Sequence, residues 1–158
     1  MVISTKKEPT AIVYTEEQQS AINKIVNFIS NNEGREIRLV GSAGTGKSTI
    51  LREIISQLES LAIPITVVAP THKACKVAKA IINKDKDIFD NVYTPITLAK
   101  ALGKVPVVKI EDGEQIFVDK EFVEFDLSGI IIVDEASMIS LEDLEKLQIK
   151  VGNKGIIL

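Results

Sequence analysis

Residues 37–49 read I-R-L-V-G-S-A-G-T-G-K-S-T, and this stretch decides the fold. A short β-branched run meets Gly41, and the spacing G-x-x-x-x-G-K-S is then complete in Gly41, Gly46, Lys47 and Ser48. Successive backbone N–H groups can curl around a polyphosphate only where side chains do not block the approach or forbid positive φ, hence the glycines, Gly44 included. The candidate phosphate-binding residues are Gly41, Ser42, Ala43, Gly44, Thr45, Gly46, Lys47, Ser48 and Thr49. A helix over 48–61 starts with its positive dipole end facing the anion, Lys47 reaches the β- and γ-phosphates, and Ser48 offers its hydroxyl to Mg²⁺.

Working outward, Thr15 followed by Glu16, Glu17 and Gln18 is a capping-box pattern, and Ala21, Ile22, Ile25, Val26 and Ile29 continue at helical spacing, which predicts a helix over 15–31. Residues 1–10 read as a frayed polar tail. After the phosphate loop and its helix, I-T-V-V-A at 65–69 is a buried strand closed by Pro70, completing a βαβ unit. Thr71 caps a helix through Ala74, Val77, Ala78, Ile81 and Ile82, whose Lys73, Lys76 and Lys79 share one basic face. A polar loop at 83–91 and the segment Thr94-Pro95-Ile96-Thr97 lead into a short helix ending near Leu102-Gly103. Two β-rich arms around Asp112-Gly113 predict a hairpin over 105–118.

I-I-I-V at 130–133 is the most β-branched run, hence a central parallel strand, and it ends in Asp134-Glu135. Ser140 caps a helix through Leu141, Leu144 and Leu147, and residues 155–158 begin one more buried strand. The alternation predicts one α/β domain over 1–158: a mostly parallel sheet with helices on both faces, a small hairpin insertion, and ligands at the carboxyl ends of the strands. Asp134 is then delivered next to the Mg²⁺ that Ser48 ligates, and Glu135 is placed to accept a proton from an attacking water.

Bulk properties narrow the classes. At 158 residues and 45% hydrophobic content, the chain suits one domain with a real core. A net charge of -3 gives no global pull toward nucleic acid or an anionic surface, so any such contact must be local. No apolar run approaches the roughly 20 residues of a membrane span, and the N-terminus lacks a secretory apolar stretch, so the expected place is the cytoplasm, with no membrane partner. Cys75 and His72 lack further metal-ligand companions at useful spacing and read as non-metal positions.

Four segments in order, G-S-A-G-T-G-K-S-T (41–49), V-V-A-P-T-H-K-A (67–74), T-L-A-K-A-L-G (97–103) and V-D-E-A-S-M (133–138), resemble motifs I, Ia, Ib and II of superfamily 1 DNA helicases, nearest the RecD-like and phage Dda-like branch. The resemblance implies a RecA-like ATPase with ATP and Mg²⁺ as cofactors, Lys47 and Glu135 as catalytic residues, and Ser48 and Asp134 as metal ligands. It makes Thr15 to Gln18 similar to the family's glutamine motif, in which Gln18 recognises the adenine; a capping role for Gln18 is compatible with that. It also implies a single-stranded DNA track over Pro70, Thr71 and His72, continued by Thr97. The hairpin would correspond to a strand-separating pin, with Phe117, or second Phe122, as its aromatic; packing of Phe117 onto the domain is the alternative. The chain departs from the family at 97–100, where T-L-A-K replaces the usual T-I-H-S and the histidine contact is missing.

Members of that family continue with G-D-x-x-Q-L and a second motor domain, neither of which lies within residues 1–158, and the only arginines are Arg35, Arg38 and Arg52, all beside the phosphate loop. The expectation is a first motor domain without its partner domain. Two rival readings stand beside it. A phosphate-loop kinase of a small substrate ordinarily needs an arginine-rich lid, and a non-catalytic ATP-binding interaction module has little use for both Lys47 and Glu135.

Overall fold

The structure is a computed structural model that describes residues 12–34, 36–42, 44–84, 86, 93–108, 115–119, 127, 129–152 and 155–157, with 105–108, 115, 117, 119, 156 and 157 described by backbone alone. The expected tail at 1–10, Ala43, the hairpin turn and Phe122 lie outside these residues.

Two strands are buried on both sides, and that sets the layers. In β2 (Ile65–Ala69) and β6 (Ile130–Val133) successive side chains face opposite ways. Val67 and Ile132 join one apolar cluster with α1 (Glu16–Ser30), α2 (Lys47–Ser60) and α3 (His72–Ile82). Val68, Ile131 and Val133 join the other with α4 (Leu98–Ala101) and α5 (Leu141–Val151). An uninterrupted apolar run is what a strand covered on two faces requires. Fully enclosed side chains such as Ile54, Leu58 and Leu147 hold the layers together. Truncating any of them to alanine costs about 2–5 kcal/mol in such sites.

The sheet is parallel and five-stranded, in the order β1-β7-β6-β2-β3, where β1 is Glu36–Ile37, β7 is Ile156–Ile157 and β3 is Ile96–Thr97. This is a RecA-like P-loop fold, with the phosphate-loop strand and the acidic strand separated by one strand. The register aligns Ile37, Ile157, Ile132 and Val67 at one level, and Ala69 with Thr97 two residues further on. β4 (Lys104–Val108) and β5 (Gln115–Asp119) pair antiparallel as a separate hairpin, matching the expected insertion. Its base is tied to the domain by Lys104, whose amine lies 2.7 Å from an Asp143 carboxylate oxygen on α5.

Some elements differ from the sequence reading. Among the described residues the expected strand over 37–40 pairs with β7 at Glu36 and Ile37, and Val40 is 88% exposed. Ile96 and Thr97 form a strand on the sheet's edge where a lead-in to a helix was expected. Leu141, expected on the apolar face of α5, is exposed, whereas Leu147 is enclosed. A helix of this amphipathic kind has one inward stripe, here carried by Leu147 and Val151, and Leu141 in its first turn lies outside it. None of the helices among the described residues is long and apolar enough to cross a membrane.

Candidate functional site

The phosphate loop runs off β1 and turns into α2 through Gly46, which sits at φ 82° and ψ 20°. That left-handed conformation is nearly free for glycine and costs other residues about 1–2 kcal/mol. A Cβ there would lie 2.7 Å from the Gln18 amide nitrogen, the movable end of that side chain, so it is the backbone conformation that demands glycine. The helices α1, α3, α4 and α5 each begin with a Ser or Thr side chain accepting a backbone N–H: Thr15, Thr71, Thr97 and Ser140. α2 begins with no side-chain cap and no acid in its first turn. Among the described residues its start lacks a side-chain cap, and its dipole end favours an anion there.

Inside the loop several carbonyls are engaged by side chains of the loop and of α2. The Lys47 amine donates to Gly41 O and, at 2.9 Å, to Ser42 O. The Thr45 hydroxyl donates to Ser42 O at 2.8 Å. Gln18 does two things at once. Its side-chain oxygen accepts the Thr15 N–H at 3.0 Å, closing the capping box, and its amide nitrogen donates to Thr45 O at 3.1 Å. Sequence reasoning found the first bond and missed the second, since no local spacing indicates that α1 lies beside the loop. α1 is fixed there by Ile22, Ile25 and Ile29 against Ile50 and Ile54. Just ahead of it, the Tyr14 hydroxyl donates to Glu53 at 3.0 Å, and burial and that carboxylate push its pKa up.

On β6, Asp134 is half-buried and Glu135 exposed. The Asp134 N–H donates to Val68 O at 2.9 Å, which holds the strand tip against β2. The Asp134 carboxylate accepts the Glu135 N–H at 3.1 Å, and Glu135 adopts φ 56° and ψ 38° at the start of a 3₁₀ turn, Ala136–Met138. A glutamate in that region carries strain, as residues at chemical sites often do. Asp134 stands two residues past Ile132, and one intervening strand, β7, separates β6 from β1, so the acidic tip and the base of the phosphate loop are roughly 10 Å apart across the sheet. That gap suits a hydrated cation and a triphosphate between them.

The remaining expected residues follow along the same edge. Pro70, Thr71 and His72 leave the carboxyl end of β2, next to β6, and Thr97 ends β3 beyond it. Thr71 and His72 are exposed and Thr97 half-buried. The two threonine hydroxyls accept the Ala74 and Lys100 N–H groups, which leaves each hydroxyl proton free to donate outward. Lys73, Lys76 and Lys79 are exposed on α3. Phe117 pairs with Pro106 in the hairpin backbone, apart from this edge in sequence and in sheet.

The profile of the AAA domain matches residues 13–157, which takes in the phosphate loop, the acidic strand tip and every strand between them. The chain belongs to the AAA domain family. As an AAA domain it is a P-loop NTPase fold built for binding and hydrolysing nucleotide. An uncharacterized protein of Acanthamoeba polyphaga mimivirus is 30% identical to it over 145 residues, 85% of this chain and 29% of that protein. The AAA domain described here thus spans under a third of that relative's length.

Proposed function

We propose that this AAA domain is the ATP-hydrolysing motor domain of a DNA helicase, working on single-stranded DNA together with a second motor domain. The observation that carries the reading is the order of groups along one sheet edge: phosphate loop at β1, Asp134 and Glu135 at β6, Thr71 and His72 at β2, Thr97 at β3. A motor needs its hydrolysis site and its track on the same rigid element, so that events at one are felt at the other. Here roughly 10 Å, two strand spacings, separates the acidic tip from Thr97.

The donor set fits Mg-ATP. Mg²⁺ bound with the nucleotide would be held by Ser48 and Asp134 and would neutralise charge on the β- and γ-phosphate oxygens. Lys47 exchanges its two carbonyl partners for phosphate oxygens, a stronger charge-assisted bond. The uncapped start of α2 receives the phosphates, and Glu135 accepts the proton of the attacking water. Hydroxyls of Thr71 and Thr97 and the nearby lysines bind the DNA backbone without reading sequence.

Calorimetric titration with Mg-ATP and an ATPase assay, with and without an unstructured oligonucleotide, test the reading. The expected result is Mg-dependent binding and slow hydrolysis that the oligonucleotide accelerates. Hydrolysis indifferent to the oligonucleotide and responsive instead to a small phosphate acceptor would favour a kinase and sink the motor.

A further inference from the structure

Glu135 stands on a turn whose left-handed start strains it, and such a conformation persists only where its surroundings hold it. Among the described residues three attachments do so. At the near end the Asp134 N–H donates to Val68 O at 2.9 Å, fixing the tip of β6 against β2. Beneath, Ala136 and Ile139 pack onto the apolar cluster shared by α4 and α5, and the turn closes on itself where the Met138 and Ile139 N–H groups donate to Glu135 O and Ala136 O, each at 3.0 Å. At the far end the chain enters α5 through Ser140, whose hydroxyl accepts the Asp143 N–H at 3.1 Å, and the Asp143 carboxylate accepts the Lys104 amine at 2.7 Å. Both of these side chains are half-buried, which shelters the pair from screening. Lys104 is itself well placed, since it follows Gly103, which is buried at φ 77° and donates to Lys100 O at 3.0 Å to close α4. The Glu135 carboxylate, by contrast, has no hydrogen-bond partner among the described residues, so the turn alone decides where it stands.

We propose that Lys104 and Asp143 are positioning residues for Glu135: their ion pair fixes the start of α5 and, through it, the turn that presents the glutamate. The proposal rests on the hydrolysis reading above. Neither residue belongs to the phosphate loop or to the acidic tip, so the pair acts through the backbone between Glu135 and Ser140. Without it the strain at Glu135 draws the turn toward other backbone states, and the glutamate spends less time in place while Lys47, Ser48 and Asp134 keep theirs.

In the 158-residue chain Lys104→Met and Asp143→Asn remove the pair from either side, and Lys104→Arg keeps it. Hydrogen exchange of the Met138 and Ile139 amides reads the turn directly, with no nucleotide present. Both amides should exchange roughly three- to fivefold faster in the first two variants, as the loss of a modest ion pair allows, and at the original rate in Lys104→Arg. Turnover of Mg-ATP, measured well below the melting temperature, should fall by a similar factor in the same two variants, with affinity within about twofold, and should recover in Lys104→Arg. The double variant should lose no more than either single one, because one pair accounts for both losses. Unchanged exchange in the turn, or faster exchange with turnover intact, would overturn the proposal. So would additive losses in the double variant, or a loss of affinity that matches the loss of turnover. If Asp143→Asn folds poorly, Lys104→Met beside Lys104→Arg decides the matter. An unmodified chain that binds Mg-ATP without turning it over would bring down the hydrolysis reading and this proposal together, whereas turnover that ignores the pair sinks the positioning role alone.

Discussion

At the level of single residues, the proposed reading separates binding from turnover. The Lys47 amine gathers the carbonyls of Gly41 and Ser42, and on the proposed reading it serves phosphate oxygens there. Lys47→Ala should weaken Mg-ATP binding at least tenfold, because a charge-assisted bond is worth about 1.5–3 kcal/mol. Glu135 is exposed, its N–H is bonded to Asp134, and its carboxylate has no hydrogen-bond partner among the described residues. Glu135→Gln should leave affinity within about twofold and reduce turnover by about 10²–10⁴. Calorimetry beside single-turnover hydrolysis reads the two effects separately. Equal affinity losses in the two variants would contradict the role given to Glu135. The strained φ of Glu135 was not visible in the sequence, since an Asp-Glu pair after an apolar run looks the same whether or not the chain turns left-handed there.

Among the elements, two close fits bear the most. Gly129 leads into β6 at φ 70°, and a Cβ there would meet Pro64 O at 1.9 Å, a backbone atom that itself accepts the Ile130 N–H. Gly129→Ala must therefore force β2 and β6 apart at their start, costing about 3 kcal/mol or more, measurable by urea unfolding. The second is the bond between Lys104 at the foot of the hairpin and Asp143 on α5. That bond to Lys104 is the main cause holding the Asp143 carboxyl below its ordinary 3.8, against an opposing push from burial. A depressed folded pKa gives stability that is present above the ordinary value and lost as pH falls through the lower one. Melting temperature followed from about pH 6 down to about pH 2.5 should therefore fall below about pH 4, and the fall should be shallower in Asp143→Asn. An identical acid limb in both would mean that this pair does not contribute. Helices with Ser or Thr caps and strands with unbroken apolar runs were legible in the sequence, because their causes are local. β3 was not, because a two-residue edge strand exists only through the partner beside it.

For the whole molecule, the sheet edge orders a phosphate site, an acidic tip and two threonine caps, a reading the sequence reached through the spacing of its motifs and the register then made spatial. What the sequence could not supply was the tie between α1 and the loop, which depends on packing between segments 27 residues apart. The edge offers few cationic groups for DNA: the chain carries a net charge of -3, so attraction must come from Thr71, His72, Thr97 and the exposed lysines of α3. Helicase stepping on this reading uses two domains that close on ATP and reopen after hydrolysis, and this domain by itself presents one side of the track. The 158-residue chain should accordingly bind single-stranded DNA only weakly and should not unwind a duplex. With few phosphates neutralised, each contributing about 0.7 to the salt slope for single strands, the affinity should also vary only modestly with salt. Fluorescence anisotropy of a labelled oligonucleotide across a salt series, run beside a strand-displacement assay, measures both. Submicromolar binding at physiological salt, or any ATP-dependent strand displacement by this chain, would mean that the edge described here is already a complete track.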